Sequence, residues 1–307
     1  MSIKYKIALW LKRKMKIRSW ERYKQITKRK VEQKFYKHRY STGDIISLMK
    51  SMGLKKGKTV FVHSAWDEFY NYTGTINEFI DTILAEIGPN GTLAMPAYPL
   101  LLKPDSVFRI NRTPTEAGLI AETFRNYPGV KRSADRHSVC ALGPKSDYLL
   151  NEHQYSLTCW DEKSPYYKLA ELDALVFSFG LGKYFMGGTM IHCVESILKD
   201  EVPYFASFFT RKATLKIEME NKTIFVKENY EHEKDFLRYY SNRSIEKYNK
   251  HFEKSKYART KISNLSVNMY EAGYFIHKAI SLGRKGIVHY KTPFPSKHLF
   301  NHHNKKT

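Results

Sequence analysis

Between residues 43 and 200 the apolar positions switch repeatedly between two periods. Ile45, Leu48, Met49 and Met52 recur at helical spacing, opened by Thr42-Gly43-Asp44 and closed by Gly53. Thr59-Val60-Phe61-Val62-His63 is β-branched and aromatic and reads as a strand, with Ser64-Ala65-Trp66 at its C-terminal end. Thr75-Ile76-Asn77-Glu78 has capping-box spacing. The stripe Ile76, Phe79, Ile80, Ile83, Leu84 and Ile87 that follows predicts a strong helix, ended by Gly88-Pro89-Asn90-Gly91. Thr92 to Pro96 is the next strand. Strand, helix, strand in that order is a β-α-β unit, the building block of a parallel sheet.

The pattern continues with more mixed signals. Thr113-Pro114-Thr115-Glu116 predicts a helix start with Leu119, Ile120 and Phe124 on its buried face. Strands are expected at Val139–Gly143 and Ala174–Phe179, with Ser164-Pro165 punctuating the loop between them. Thr214 to Lys227 reads as a hairpin about Asn221-Lys222. The charged, tyrosine-rich stretch 228–260 is expected to be surface helix, and Val267 to Leu282 an amphipathic helix ended by Gly283. No repeat or low-complexity linker interrupts the chain. The expected organisation is one α/β domain over residues 43–307, preceded by an extension at 1–42.

Charge sharpens that boundary. The net charge is +22 over 307 residues. Residues 1–42 hold 15 Lys and Arg against 2 Asp and Glu, a local +13, which leaves +9 for the remainder. Ile3, Ile7, Trp10, Leu11 and Met15 recur between those cations at helical spacing. They predict a basic amphipathic helix, lying either on an anionic membrane surface or against a partner. No recognised nucleic-acid module accompanies the charge, so nucleic acid is not an expected partner. No stretch approaches the roughly 18 apolar residues of a membrane span, and no signal peptide is evident. Cys140, Cys159 and Cys193 form no C-x-x-C pair, which fits a reduced, cytoplasmic protein without structural zinc. The terminal His298, His302 and His303 read as a frayed tail, and no metal site is expected.

The candidate chemistry centres on Gly188 to Glu195, just after the strand at 174–179. A helix starting near Thr189, its expected N-cap, puts His192 and Glu195 three apart on one face. Taken alone, H-x-x-E is compatible with a structural ion pair. It is also the layout of a general base whose carboxylate fixes the imidazole tautomer, though the spacing alone favours the ion pair. Cys193 is adjacent, but neighbouring helical residues point about 100° apart, so it is expected in the core.

Six motifs in order then carry a resemblance. They are Gly57-x-Thr59-Val60-x-Val62-His63-Ser64, Gly91-Thr92-Leu93-x-Met95-Pro96, Pro114-Thr115-x-x-Gly118, Phe124-Arg125-x-x-Pro128-x-Val130-x-Arg132-Ser133, Ser164-Pro165 and Thr189-x-x-His192-x-x-Glu195. Together they resemble the aminoglycoside 3-N-acetyltransferase family over roughly residues 43–200, and more weakly over 260–290. The resemblance implies a three-layer α/β/α sandwich, acetyl-CoA as co-substrate without a metal, and an amine of an aminoglycoside or related amino sugar as acceptor. It implies that His192 is the general base. Glu195 then orients it or attracts the acceptor's ammonium. It also implies a donor site along His63, Ser64 and Ala65, with Arg132, Ser133, Ser138 and Thr189 among the donor-binding residues.

Two departures bear on that reading. Ala65 stands where the family has a second serine. In the family's R-S-x-H-P-x-x-S segment, Asp135 takes the histidine position, Arg136 the proline position, and one residue is missing before Ser138. His137 either compensates by a shift of the loop or is an ordinary loop histidine. The basic core, with local acidic residues at Glu152, Asp161, Glu162, Glu171 and Asp173, leaves three readings of purpose: aminoglycoside acetylation, acetylation of an amino sugar for a cell-surface glycan, or a non-catalytic relative that binds a glycan or membrane partner. Location on the inner face of the membrane goes with the second.

Overall fold

A computed structural model describes residues 20–101, 106–182, 188–231 and 242–290. The stretch Ile3 to Met15 and the histidines at 298, 302 and 303 lie outside the described residues. The main sheet has seven strands in the order β4 (Lys131–Arg132), β5 (Val139–Leu142), β2 (Thr92–Pro96), β1 (Thr59–Ser64), β6 (Leu175–Phe179), β10 (Leu265–Glu271) and β9 (Tyr257–Ile262). In this sheet β1 pairs parallel with β2 and with β6, and the remaining pairs are antiparallel. β3 (Phe108–Arg109), β7 (Arg211–Glu218) and β8 (Ile224–Glu231) form a second sheet of three strands.

Ten helices accompany these strands among the described residues: α1 (Trp20–Phe35), α2 (Thr42–Ser51), α3 (Ile76–Ile87), α4 (Leu119–Arg125), α5 (Ser146–Leu150), α6 (Pro165–Glu171), α7 (Ile191–Leu198), α8 (Pro203–Ala206), α9 (Asn242–Asn249) and α10 (Ala272–Arg284). Side chains alternate faces along a strand, and the core divides accordingly. Val60 and Val62 of β1 pack with Leu93, Met95, Phe177 and the apolar faces of α2, α3 and α4. Phe61 turns the other way and packs with Ala94, Val176, α6, α7, α8 and α10. Helices thus cover both faces, giving the expected three-layer α/β/α sandwich. The same alternation sends His63, two residues after Phe61, to the face that carries α7.

Local capping explains where the early helices begin. Ser41 and Asp44 close a reciprocal capping box on α2, and Thr75 and Glu78 do so on α3. The chain joins the core slightly before the expected boundary, because Tyr40 is buried and its N–H donates to Asn71 O at 3.1 Å. Arg29 of α1 pairs with Asp67 at 3.2 Å. Among the described residues no helix is long and apolar enough to cross a membrane.

Four expected elements differ. The helix read from Pro114 begins at Leu119, because Pro114 to Glu116 pairs its backbone with Tyr98 to Leu100 instead. Ser164-Pro165 opens a helix, with the Ser164 hydroxyl accepting from Tyr167 N–H at 3.2 Å and Pro165 at the first helical position. The 228–260 stretch is only partly helical: β8 runs to 231 and β9 starts at 257. Val267 to Glu271 is strand, bonded between β6 and β9, and the helix starts at Ala272. Short apolar runs satisfy both periods, and pairing with two neighbouring strands decides. Gly283 lies inside α10 rather than after it; a Cβ there would meet Leu198 Cδ1 at 2.5 Å, so the glycine sets how closely α10 approaches α7.

Gly143 ends β5 with φ +131°, where a Cβ would stand 2.3 Å from Gly91 O, a backbone atom. Gly143→Ala is expected to lower stability by about 1–3 kcal/mol through backbone strain, read as a lower urea midpoint with an unchanged slope.

Candidate active site

The three parallel strands place the site. β1 has a parallel neighbour on each side, and in such sheets ligands bind beyond the strands' C-terminal ends where the connections diverge. From the C-terminal end of β6 the chain reaches a single 3₁₀ turn, Gly188–Met190, that feeds α7. Met190, Cys193, Val194 and Leu198 anchor α7 in the core, while the His192 side chain keeps 22% exposure.

Glu195, one turn on, is fully buried. Its Oε2 lies 2.8 Å from His192 Nδ1, and its Oε1 accepts from the Tyr290 hydroxyl. Tyr290 is itself buried, on the segment that follows α10. A carboxylate removed from water needs such partners, and here they also fix which way the imidazole faces. With Nδ1 engaged, Nε2 is left as the ring's second nitrogen. Cys193 is buried, and burial pushes its thiol well above its ordinary range, so it does not form a thiolate beside His192.

His192 opens onto a cavity of about 590 Å³ whose wall also includes Tyr98, His137, Trp160, Thr189 and Arg211. Aromatic rings line it in series. Tyr98 meets His137 with centroids 5.4 Å apart, His137 meets Trp160 at 4.3 Å, and Trp160 meets His192 at 4.8 Å. Thr189 sits in the 3₁₀ turn and does not cap α7; its hydroxyl is 3.0 Å from that of Tyr98.

Other residues singled out from the sequence lie behind the wall. The Arg132 guanidinium is buried and donates to the carbonyls of Ala97, Ile110 and Thr113 and, at 3.1 Å, to Ser138 Oγ. Ser133 Oγ pairs with His153 Nδ1 at 2.8 Å and accepts from Val139 N–H at 2.9 Å. Ser138 Oγ donates to Ala97 O. These three side chains brace the 133–138 loop from within. Asp135, at the family's histidine position, is fully buried against Lys227 of β8 and accepts from His137 N–H at 2.8 Å. Burial pushes its carboxyl up, but the His153 ring and the Lys227 ammonium outweigh burial and hold it below the usual carboxylate range. Glu152, Asp161 and Glu171 are likewise engaged, with Lys168, Leu157 N–H and the Tyr148 hydroxyl, and the acidic residue on the described cavity wall is Glu116.

His63 is buried at the end of β1, on the α7 face, and its Nε2 has no hydrogen-bond partner among the described residues. It is in register with Ser178, which is in register with Asn268 of β10; Asn268 Oδ1 is buried and unpartnered in the same sense. A Cβ on Gly188 would come within 3.9 Å of His63 Nε2, so this polar row faces the turn that carries Thr189. Ser64 and Ala65 are partly buried beside it, and the Ala65 N–H already donates to Phe179 O at 2.9 Å. Trp160, Asn268 and Tyr290 had no periodic or motif signal in the sequence. Each reaches the site only through the fold.

The family model for aminoglycoside 3-N-acetyltransferase matches residues 61–282. The chain belongs to that family. It is 28% identical over 169 residues to aminoglycoside N(3)-acetyltransferase IV of Salmonella sp, an alignment covering 54% of this chain and 62% of the relative. It is 29% identical over 170 residues to the SPbeta prophage-derived aminoglycoside N(3')-acetyltransferase-like protein YokD of Bacillus subtilis, covering 48% of this chain and 61% of that one. The chain therefore spans less than two thirds of the length of these curated relatives. In fold it is similar to the apoenzyme of aminoglycoside acetyltransferase AAC(3)-IVa, with TM-score 0.65, 21% identity and coverage of 85% and 94%. It is also similar to AAC-IIIb in a binary complex with CoASH, with TM-score 0.68, 18% identity and coverage of 84% and 100%.

Burial lowers the basicity of three histidines of this family member from the ordinary 6.5: His63 and His153 to about 4, and His137 to about 3. Each is neutral when folded and binds a proton more readily once unfolded. Their contribution to stability is complete above pH 6.5 and is lost as pH falls towards 4. Melting temperature measured across this window is expected to drop steadily with pH, and a flat profile would contradict the buried, neutral assignment.

Proposed function

We propose that the protein is an acetyl-CoA-dependent N-acetyltransferase acting on an amine of an aminoglycoside or related amino sugar. The observation that carries this reading is the His192 ring, oriented by a buried carboxylate and open to a cavity of about 590 Å³. An alkylammonium is not a nucleophile, so an acetyltransferase must remove a proton, hold the reactants together and stabilise charge on oxygen. The acceptor's ammonium loses one proton to solvent, and as the resulting amine attacks, His192 takes a second proton from its nitrogen. The nitrogen lone pair forms a C–N bond to the thioester carbon, and the C–S bond breaks with its electron pair on sulfur. The proton held on His192 returns to that sulfur. Glu195 keeps the ring oriented.

The donor side fits the row at His63, Ser178 and Asn268. Its orphaned polar atoms are partners for amide groups such as those of a pantetheine arm, and it adjoins the Gly188 turn below His192. The acceptor side fits the aromatic cavity, where flat ring faces pack against sugar rings. Holding both reactants contributes about 7–11 kcal/mol in favourable cases. The likeness to CoASH-bound AAC-IIIb and the family membership support the reading.

His192→Ala is expected to lower kcat by about 10²–10⁴-fold, read as thiol release from acetyl-CoA across a panel of aminoglycosides and simpler amino sugars. Acetyl-CoA binding measured by calorimetry should persist in the variant. Unchanged turnover would remove His192 as the base, and absence of acetyl-CoA binding to the unaltered protein would remove the enzyme reading.

A further inference from the structure

We infer that His137 is a second catalytic residue of this site, whose ring N–H donates a hydrogen bond to the thioester oxygen as the acceptor nitrogen attacks. The inference rests on the transferase reading above. Acyl transfer needs a donor aimed at the oxygen where charge develops, held in place before the reactants arrive. His192 cannot serve as both base and donor, since its Nδ1 is engaged by Glu195 and its other nitrogen handles the proton.

His137 is held in the same cavity as the base. It shares the cavity wall with His192, and the Trp160 ring touches both imidazoles. Neither of its ring nitrogens has a hydrogen-bond partner among the described residues, while its backbone is clamped on both sides. The N–H donates to Asp135 Oδ1 at 2.8 Å, and the C=O accepts from the Tyr166 hydroxyl at 3.0 Å. Asp135 is pinned in turn by Lys227. The departure of this loop from the family pattern therefore puts a rigidly mounted imidazole at the wall.

The chemistry is consistent. Burial holds His137 to about 3, so the ring stays neutral, is a poor base and carries one N–H. A neutral imidazole of depressed basicity serves as an electrophilic donor in other enzymes. It passes on no proton. The two imidazoles thereby divide the work: His192 moves the proton and His137 meets the oxygen.

His137→Phe keeps a flat ring against Trp160 and removes the donor, whereas His137→Gln retains one. With the best amine for the unaltered protein, His137→Phe is expected to lower kcat by about 10²–10³-fold, with the acetyl-CoA dissociation constant little changed and His137→Gln recovering about tenfold of the loss. His137→Phe within about threefold of the unaltered kcat, or an equal loss in both variants, would leave the ring as wall only and overturn the assignment. Should the unaltered protein release no thiol with any amine, the transferase reading falls first and this inference with it.

Discussion

A carboxylate with no access to water needs hydrogen-bond donors, and Glu195 draws two parts of the chain together to obtain them. One is the His192 imidazole, a single turn back on α7. The other is the Tyr290 hydroxyl, 95 residues on in sequence. Leaving a buried charge without a partner costs several kcal/mol, so the packing of α7 against α10 and the placement of the following segment answer to that one group. The orientation of the imidazole is a by-product of the same requirement.

A second buried charge does similar work behind the cavity wall. Asp135 and Lys227 neutralise one another with essentially no solvent contact. Their pairing ties the three-stranded sheet to the 133–138 loop of the main sheet. Because Asp135 also receives the His137 N–H, the position of an aromatic wall residue depends on a lysine from another sheet. Burying ions in this way is seldom the most stabilising choice, and fixing one geometry is a known use of it.

The parts of the fold legible in the sequence were those with one unambiguous period. α3 carries its stripe and capping box, β1 and β2 are short, branched and apolar, and all fall where the pattern puts them. Val267 to Glu271 was not legible, because alternate and helical spacing coincide over five residues and only the neighbouring strands resolve them. At the site, His192 and Glu195 form a local motif and could be read directly. Tyr290 and Asn268 could not, since neither has meaning until α10 and β10 are docked. The 133–138 loop shows a third case. The motif pointed to this loop, but which of its side chains faces the cavity is decided by Lys227, far away in sequence.

The hairpin supplies a last constraint. Along β8, Val226 is 56% exposed and Lys227 only 3%, so consecutive positions have opposite duties. Inserting a single amino acid upstream in this strand would exchange those duties, presenting a valine to Asp135 and turning the ammonium out to water. An insertion of two would keep the faces but still carry Lys227 along the strand and away from Asp135, so the ion pair fixes the length of this arm as well as its alternation. Either change would disturb the cavity wall from a residue that is not part of it.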